Sequence, residues 1–274
     1  MNNIYKIIAD VDELNWFYDN VISASNPKSN QGFAVQLFAR TKHLSAEEKG
    51  KLQMPNAKLL DVFTVSAYKM NFLHYKRAFL RMQVDQQVYL SPSGMAYPQE
   101  ALVAYTSVNP TDSYKALFAL EDYIASKQRD MNFAALKGQL NEDDVRNKFL
   151  IDTIIYKYKT LLADNVLKQH YWLDIDIDLT DVDSQLFYSN WYKMMFDFVG
   201  ENNFVLIKTA GGYHTLVRRS AIKGNPSDVI DSIYKLHKFI IKEATINKNA
   251  CVPTPGTLQY GKLVTVTNKW NEKI

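Results

Sequence analysis

Hydrophobic and polar positions change period several times along this chain, and each change marks an element. Segment 30–40, NQGFAVQLFAR, mixes β-branched and aromatic residues and predicts a strand. TKHLSAEEKGKLQMP follows as a short polar helix or turn that ends at Pro55. From Leu59 to Met82 both periods are present and helix is favoured, whereas 86–110 predicts two strands around a Ser/Pro/Gly turn. Helical periodicity takes over at Asp112, with Leu117, Leu120 and Ile124 on one side, and a second helix is expected from Asn141.

The last third alternates most clearly. YWLDIDID (171–178) predicts a strand. A helix follows with Phe187, Trp191, Met194 and Phe198 on one stripe and Gly200 as its stop. NFVLIKT and YHTLVRR flank AGG as a glycine-turn hairpin. A helix capped by Asn225, with Pro226 at its first position, then carries a Val229/Ile233/His237/Ile240 stripe. One or two strands are expected after Ala250. This order predicts an α+β fold with a largely antiparallel sheet. Its expected parts are an N-terminal α/β unit (1–110), a helical segment (111–168) and a C-terminal β-α-β-β-α-β core (169–274), packed as one compact domain.

Composition narrows the functional classes. With 47% hydrophobic residues, 22% charged residues, 17 tyrosines and 14 phenylalanines in 274 residues, the chain has the make-up of a packed globular protein. A net charge of +3 from 32 basic and 29 acidic side chains does not by itself argue for nucleic acid. The single Cys251 excludes an internal disulfide and a Cys-rich zinc site. No apolar run reaches membrane-spanning length, so a cytoplasmic location without membrane contact is expected.

The candidate chemistry sits in YWLDIDID. In a strand, Asp174, Asp176 and Asp178 share one face and Leu173, Ile175 and Ile177 the other, with successive carboxylates ~7 Å apart. Like charges so placed repel unless a cation lies among them. Two readings stand: a solvated acidic strand end leading into DLTDVD, or hard oxygen ligands for Mg2+ or Mn2+. An EF-hand loop is excluded, because Leu179 and Gln185 stand where it needs Gly and Glu. In TAGGYHTLVR a glycine turn precedes His214, and backbone amides of such a turn can approach a phosphate. His237 lies on an apolar helical stripe and reads as structural; His43, His74 and His170 have no ligand spacing.

An Asp-x-Asp strand end, a helix, a strand–glycine turn–strand with a histidine, a helix and a strand form an ordered constellation. It resembles the archaeo-eukaryotic primase superfamily, the catalytic cores of primases and primase-polymerases of phage or plasmid type. CVPTPGTLQYG is similar to that group's R-x-PGT segment, with Pro253 in place of the arginine, and Gly212 stands where a serine is expected two positions before the histidine. The resemblance spans about residues 170 to 260. It implies an RRM-like core that makes short strands by two-metal nucleotidyl transfer on single-stranded DNA in replication. Asp174 and Asp176, with Asp178 assisting, would bind Mg2+ or Mn2+. Lys208, Gly211, Gly212, His214 and Arg218 would contact the nucleoside triphosphate. Arg40, Lys42, Lys69, Arg77 and Arg81 would be candidates for template or triphosphate contacts, and a replicative helicase would be a partner. The third acid of the family falls at Asn247, with Glu243 one helical turn earlier. Two alternatives follow: a module that binds nucleotide or single-stranded nucleic acid without polymerising, or a metal-dependent nuclease, ranked last because Lys208 has Leu206 two residues before it.

Overall fold

The computed structural model describes residues 3–42, 44–53, 56–68, 70–139, 157, 161, 171–247 and 251–269. The expected second helix from Asn141 lies outside them, as does Lys69. Two antiparallel sheets carry the fold. The first contains β1 (Gln31–Arg40), β2 (Ala57–Ser66), β3 (Leu102–Ser107) and β4 (Thr111–Asp112), joined by strands from the end of the chain. Helices α1 (Val11–Phe17), α2 (Ala46–Leu52), α3 (Phe72–Leu80) and α4 (Ser113–Leu136) belong to this part of the sequence.

Two sequence expectations need correction here. Leu59 to Met82 is half strand: β2 pairs along β1 from Arg40↔Ala57 to Gly32↔Ser66, and helix begins only after Asn71 caps Phe72. The run Val62, Phe63, Thr64, Val65 is β-branched and aromatic, and pairing with β1 decides the ambiguous period in favour of strand. Segment 86–110 forms one strand, β3; its first half contributes only an isolated Leu90↔Ala96 bridge.

The second sheet is built from β5 (Trp172–Leu179), β6 (Phe204–Lys208), β7 (Gly212–Arg218) and β8 (Ile241–Asn247), with helix α5 (Gln185–Val199) between β5 and β6 and α6 (Pro226–His237) between β7 and β8. The spatial order β6-β7-β5-β8 makes this a split β-α-β arrangement. The helix capped by Asn225 stops at His237, short of Ile240 on its expected stripe. Ile241–Asn247 is instead a full strand alongside β5, because the sheet needs a partner on that edge of β5.

Both faces of β5 are put to use. Leu173, Ile175, Ile177 and Leu179 bury against Phe187, Trp191 and Met195 of α5 and Val229, Ile230 and Ile233 of α6. The other face begins with Trp172, which joins the core of the first sheet together with Val205, Ile207 and Leu216. Buried Asn109 locks this junction: its Oδ1 accepts from Tyr171 and Trp172 N–H at 2.8 Å, and its Nδ2 donates to the Trp172 carbonyl at 2.9 Å. After β8 the chain returns to the first sheet, where β9 (Cys251–Pro253) and β10 (Leu258–Gln259) pair with β3 and β11 (Lys262–Leu263) pairs with β10. β12 (Thr265–Val266) then pairs with β6. The tail therefore stitches the two sheets together.

Gly212 opposes Asp178 at the start of β7, and a Cβ there would lie 1.8 Å from the Ile177 carbonyl oxygen. Because that obstacle is backbone, Gly212→Ala is expected to lower stability by about 3 kcal/mol. A urea titration should show the midpoint fall with the slope unchanged.

Candidate functional site

The acidic face of β5 opens into a cavity of about 250 Å³ between the two sheets. Asp176 and Asp178 line it from β5, His214 from β7, and Glu243 and Thr245 from β8. Arg40 on β1 and Lys42 just beyond it face them from the first sheet. Tyr105, Thr209, Gly211, Gln259 and Tyr260 complete the wall.

Strand register explains the assembly. Directly opposed residues share a face, so Asp174↔Leu216 and Asp176↔His214 on β7 fall on the cavity side, as do Asp174↔Asn247, Asp176↔Thr245 and Asp178↔Glu243 on β8. Burial sets Asp174 apart from the other two. Asp174 is fully buried, whereas the side chains of Asp176 and Asp178 are 35% and 29% exposed.

Each carboxylate has a different partner. Both Asp174 oxygens face His214 Nδ1 at 3.1–3.2 Å, and Asn247 Nδ2 donates to Asp174 Oδ2 at 3.2 Å. The other imidazole nitrogen, Nε2, lies 3.5 Å from Asp176 Oδ1. Asp178 Oδ2 takes the Lys42 ammonium at 2.5 Å. Arg40 donates to the Tyr105 hydroxyl at 2.5 Å, and its guanidinium is held charged: burial opposes the charge, but Tyr105, Tyr260 and Asp176 more than offset it.

The same neighbours set the proton balance. Burial pulls the His214 pKa down, but Asp174, its hydrogen bond, and the charges of Asp176 and Asp178 raise it further, to about 9. Burial pushes the Asp176 carboxyl above its usual value, against the pull of His214, with Asp174 and Asp178 adding to the rise. At neutral pH His214 is therefore an imidazolium fixed among carboxylates, with one nitrogen spent on Asp174 and the other directed to the cavity side.

The glycine turn is closed on itself. Thr209 Oγ1 accepts from the Gly211 and Gly212 amides at 3.3 and 3.2 Å, and the Ala210 amide donates to Gln259 Oε1 at 3.0 Å. Gly212 serves close packing on β5, and Gly211 lines the cavity.

Of the residues singled out from sequence, Asp176, Asp178, His214, Gly211, Arg40 and Lys42 meet in the cavity, with Asp174 directly beneath His214. Lys208 does not: it sits on the other face of its strand, opposite Tyr213, and its ammonium holds Asp183 at 2.5 Å. Arg218 shares the His214 face but lies opposite Trp172, over whose ring its guanidinium stacks at 5.6 Å. Arg77 and Arg81 line a separate groove beside β2.

Glu243 is the residue sequence reasoning placed wrongly. Read as helical, it seemed to lie away from the acids; as a strand residue it is in register with Asp178, and Asn247 is in register with Asp174. The alternation Glu243, Thr245, Asn247 was the signal for that face. Tyr105, Gln259 and Tyr260 carried no such signal beyond the PGTLQYG segment.

Among the described residues, no three His, Cys, Asp or Glu side chains are drawn together as a metal site. The donor chemistry nevertheless fits a hard divalent cation: Asp176, Asp178 and Glu243 offer carboxylates and Thr245 a hydroxyl, with the Lys42 ammonium resting on Asp178. Compared in turn with models of protein families, with curated proteins and with solved structures, the chain matches none.

His214 has a folded-state pKa of about 9, above its ordinary 6.5. Its stabilising contribution is therefore complete below pH 6.5 and lost as pH rises through about 9, on the order of 3 kcal/mol. Urea unfolding in the presence of a chelator should show the wild type losing this stability across that window, with the loss absent in His214→Gln.

Proposed function

We propose that this chain is a primase-polymerase-like nucleotidyltransferase that joins nucleotides on a single-stranded DNA template with the help of Mg2+ or Mn2+. The observation that carries the reading is the seam cavity, in which carboxylates of β5 and β8 meet Arg40 of β1, Lys42 just beyond it and His214. The split β-α-β order of the second sheet agrees with the RRM-like core that the sequence resemblance implies.

In this reading Asp176, Asp178 and Glu243 would hold the metal. When bound, it supplies activation of a 3′-hydroxyl and stabilisation of the leaving pyrophosphate. Arg40 and the His214 imidazolium neutralise triphosphate oxygens, and Lys42 exchanges Asp178 for phosphate. Asp174, itself bonded by Asn247, holds the imidazole so that Nε2 serves the cavity. Thus Asp174 acts through His214, and the acidic pair of the family corresponds to Asp176 and Asp178, one step along from the pairing read off the sequence.

A second reading, a module that binds nucleotide or single-stranded nucleic acid without joining nucleotides, draws on two observations. The turn amides are already bonded within the protein, and Asp178 is already matched by Lys42.

Primer synthesis on single-stranded DNA with Mn2+ and labelled nucleotides separates the two. The wild type is expected to incorporate nucleotide, and Asp176→Asn to lose roughly a hundredfold or more, the equivalent of about 3 kcal/mol of transition-state stabilisation. Equal synthesis by the variant would remove the proposed site. Nucleotide binding without synthesis by the wild type would favour the binding module.

A further inference from the structure

A second groove, of about 220 Å³, lies between β2 and α3. It is remote from the cavity: the β1/β2 ladder runs from Arg40↔Ala57 beside the cavity to Gly32↔Ser66 at the groove, a span of roughly 30 Å. Among the described residues β2 is the last strand of its sheet.

The backbone of β2 is ordered for pairing on this side. The Ala67 amide donates to the Gln31 carbonyl, and bonded pairs alternate in an antiparallel ladder. Val65 and Phe63 therefore direct their N–H and C=O groups to Phe33 and Val35, while Thr64 and Ser66 direct theirs outward, along the groove. Phe63 and Ala78 supply an apolar floor.

The facing helix carries matched charge. Arg77 and Arg81 line the groove, and among the described residues no acidic one does. Four residues apart on α3 and at its C-cap, their side chains start about 5–6 Å apart. Same-side residues of an extended chain repeat every ~6.7 Å, within reach of those two guanidinium groups. The Arg81 guanidinium sits over the Phe63 ring at 5.7 Å, which fixes its position and covers the ring face a nucleobase would stack on.

We propose that the β2 edge docks an extended acidic peptide of a partner protein. The peptide adds a strand by pairing with the outward backbone groups of Thr64 and Ser66, and two alternate carboxylates meet Arg77 and Arg81. This site stands independently of the chemistry of the cavity.

The test is fluorescence anisotropy with a fluorescein-labelled ten-residue peptide of alternating glutamate and valine. Saturable binding that weakens with salt is expected, with none by the matching lysine–valine peptide. Arg77→Ala/Arg81→Ala should weaken binding at least tenfold. Thr64→Pro should do the same, since it removes an outward N–H without touching the ladder to β1. Circular dichroism checks the fold of each variant. Should Thr64→Pro unfold, Arg77→Glu/Arg81→Glu is expected to transfer binding to the lysine–valine peptide, and failure of that transfer would count against the site. Absence of saturable binding by the wild type, or full binding by the arginine double variant, would overturn the proposal. So would a ten-nucleotide single strand that binds through both arginines and is indifferent to Thr64→Pro, because the groove would then contact nucleic acid.

Discussion

Three carboxylates on one face of one strand are the constraint around which this molecule is arranged. Packed along β5 with no counter-charge, Asp174, Asp176 and Asp178 would repel one another and oppose folding. The structure distributes the compensation among neighbouring strands. Asp174, with no exposure, takes His214 and Asn247 from the strands on either side; Asp178, partly exposed, takes Lys42 from the other sheet. Asp176, also partly exposed, has His214 Nε2 as its near neighbour and Arg40 contributing from across the cavity.

That solution requires two sheets rather than one. Arg40 and Lys42 can face β5 only because the first sheet packs against the end of the second, and Asn109 fixes that junction by bonding the backbone where β5 begins. The returning tail contributes further: Gln259 on β10 belongs to the first sheet, yet its amide oxygen holds Ala210 of the glycine turn in the second. The cavity is thus a product of the whole chain from β1 to β10, and the same face of β8 that sets Asn247 against Asp174 brings Glu243 to the cavity.

Much of this was legible in the residues. The period-2 run of β5, the glycine hairpin, the Asn225-Pro226 helix start and the order of these elements follow from local patterns and agree with the structure. The α+β class and the antiparallel sheets follow from the same signals. What failed has a common cause: β2 and β8 are strands because a neighbouring strand pairs with them, and no local period records a distant partner. The β8 error moved Glu243 off the acidic face, where it is in register with Asp178. Side-chain parity on β6 and distance along β7 likewise decide that Lys208 and Arg218 serve Asp183 and Trp172 rather than the cavity.

Glu243 stands in register with Asp178, and a divalent cation bound at the β5 acids would draw on its carboxylate. Electron paramagnetic resonance of Mn2+ titrated into the protein tests it most directly. The account predicts saturable Mn2+ binding, displaced by Mg2+ and weakened by at least roughly tenfold in Glu243→Gln. Unaltered Mn2+ affinity in that variant, or no saturable binding by the wild type, would contradict it.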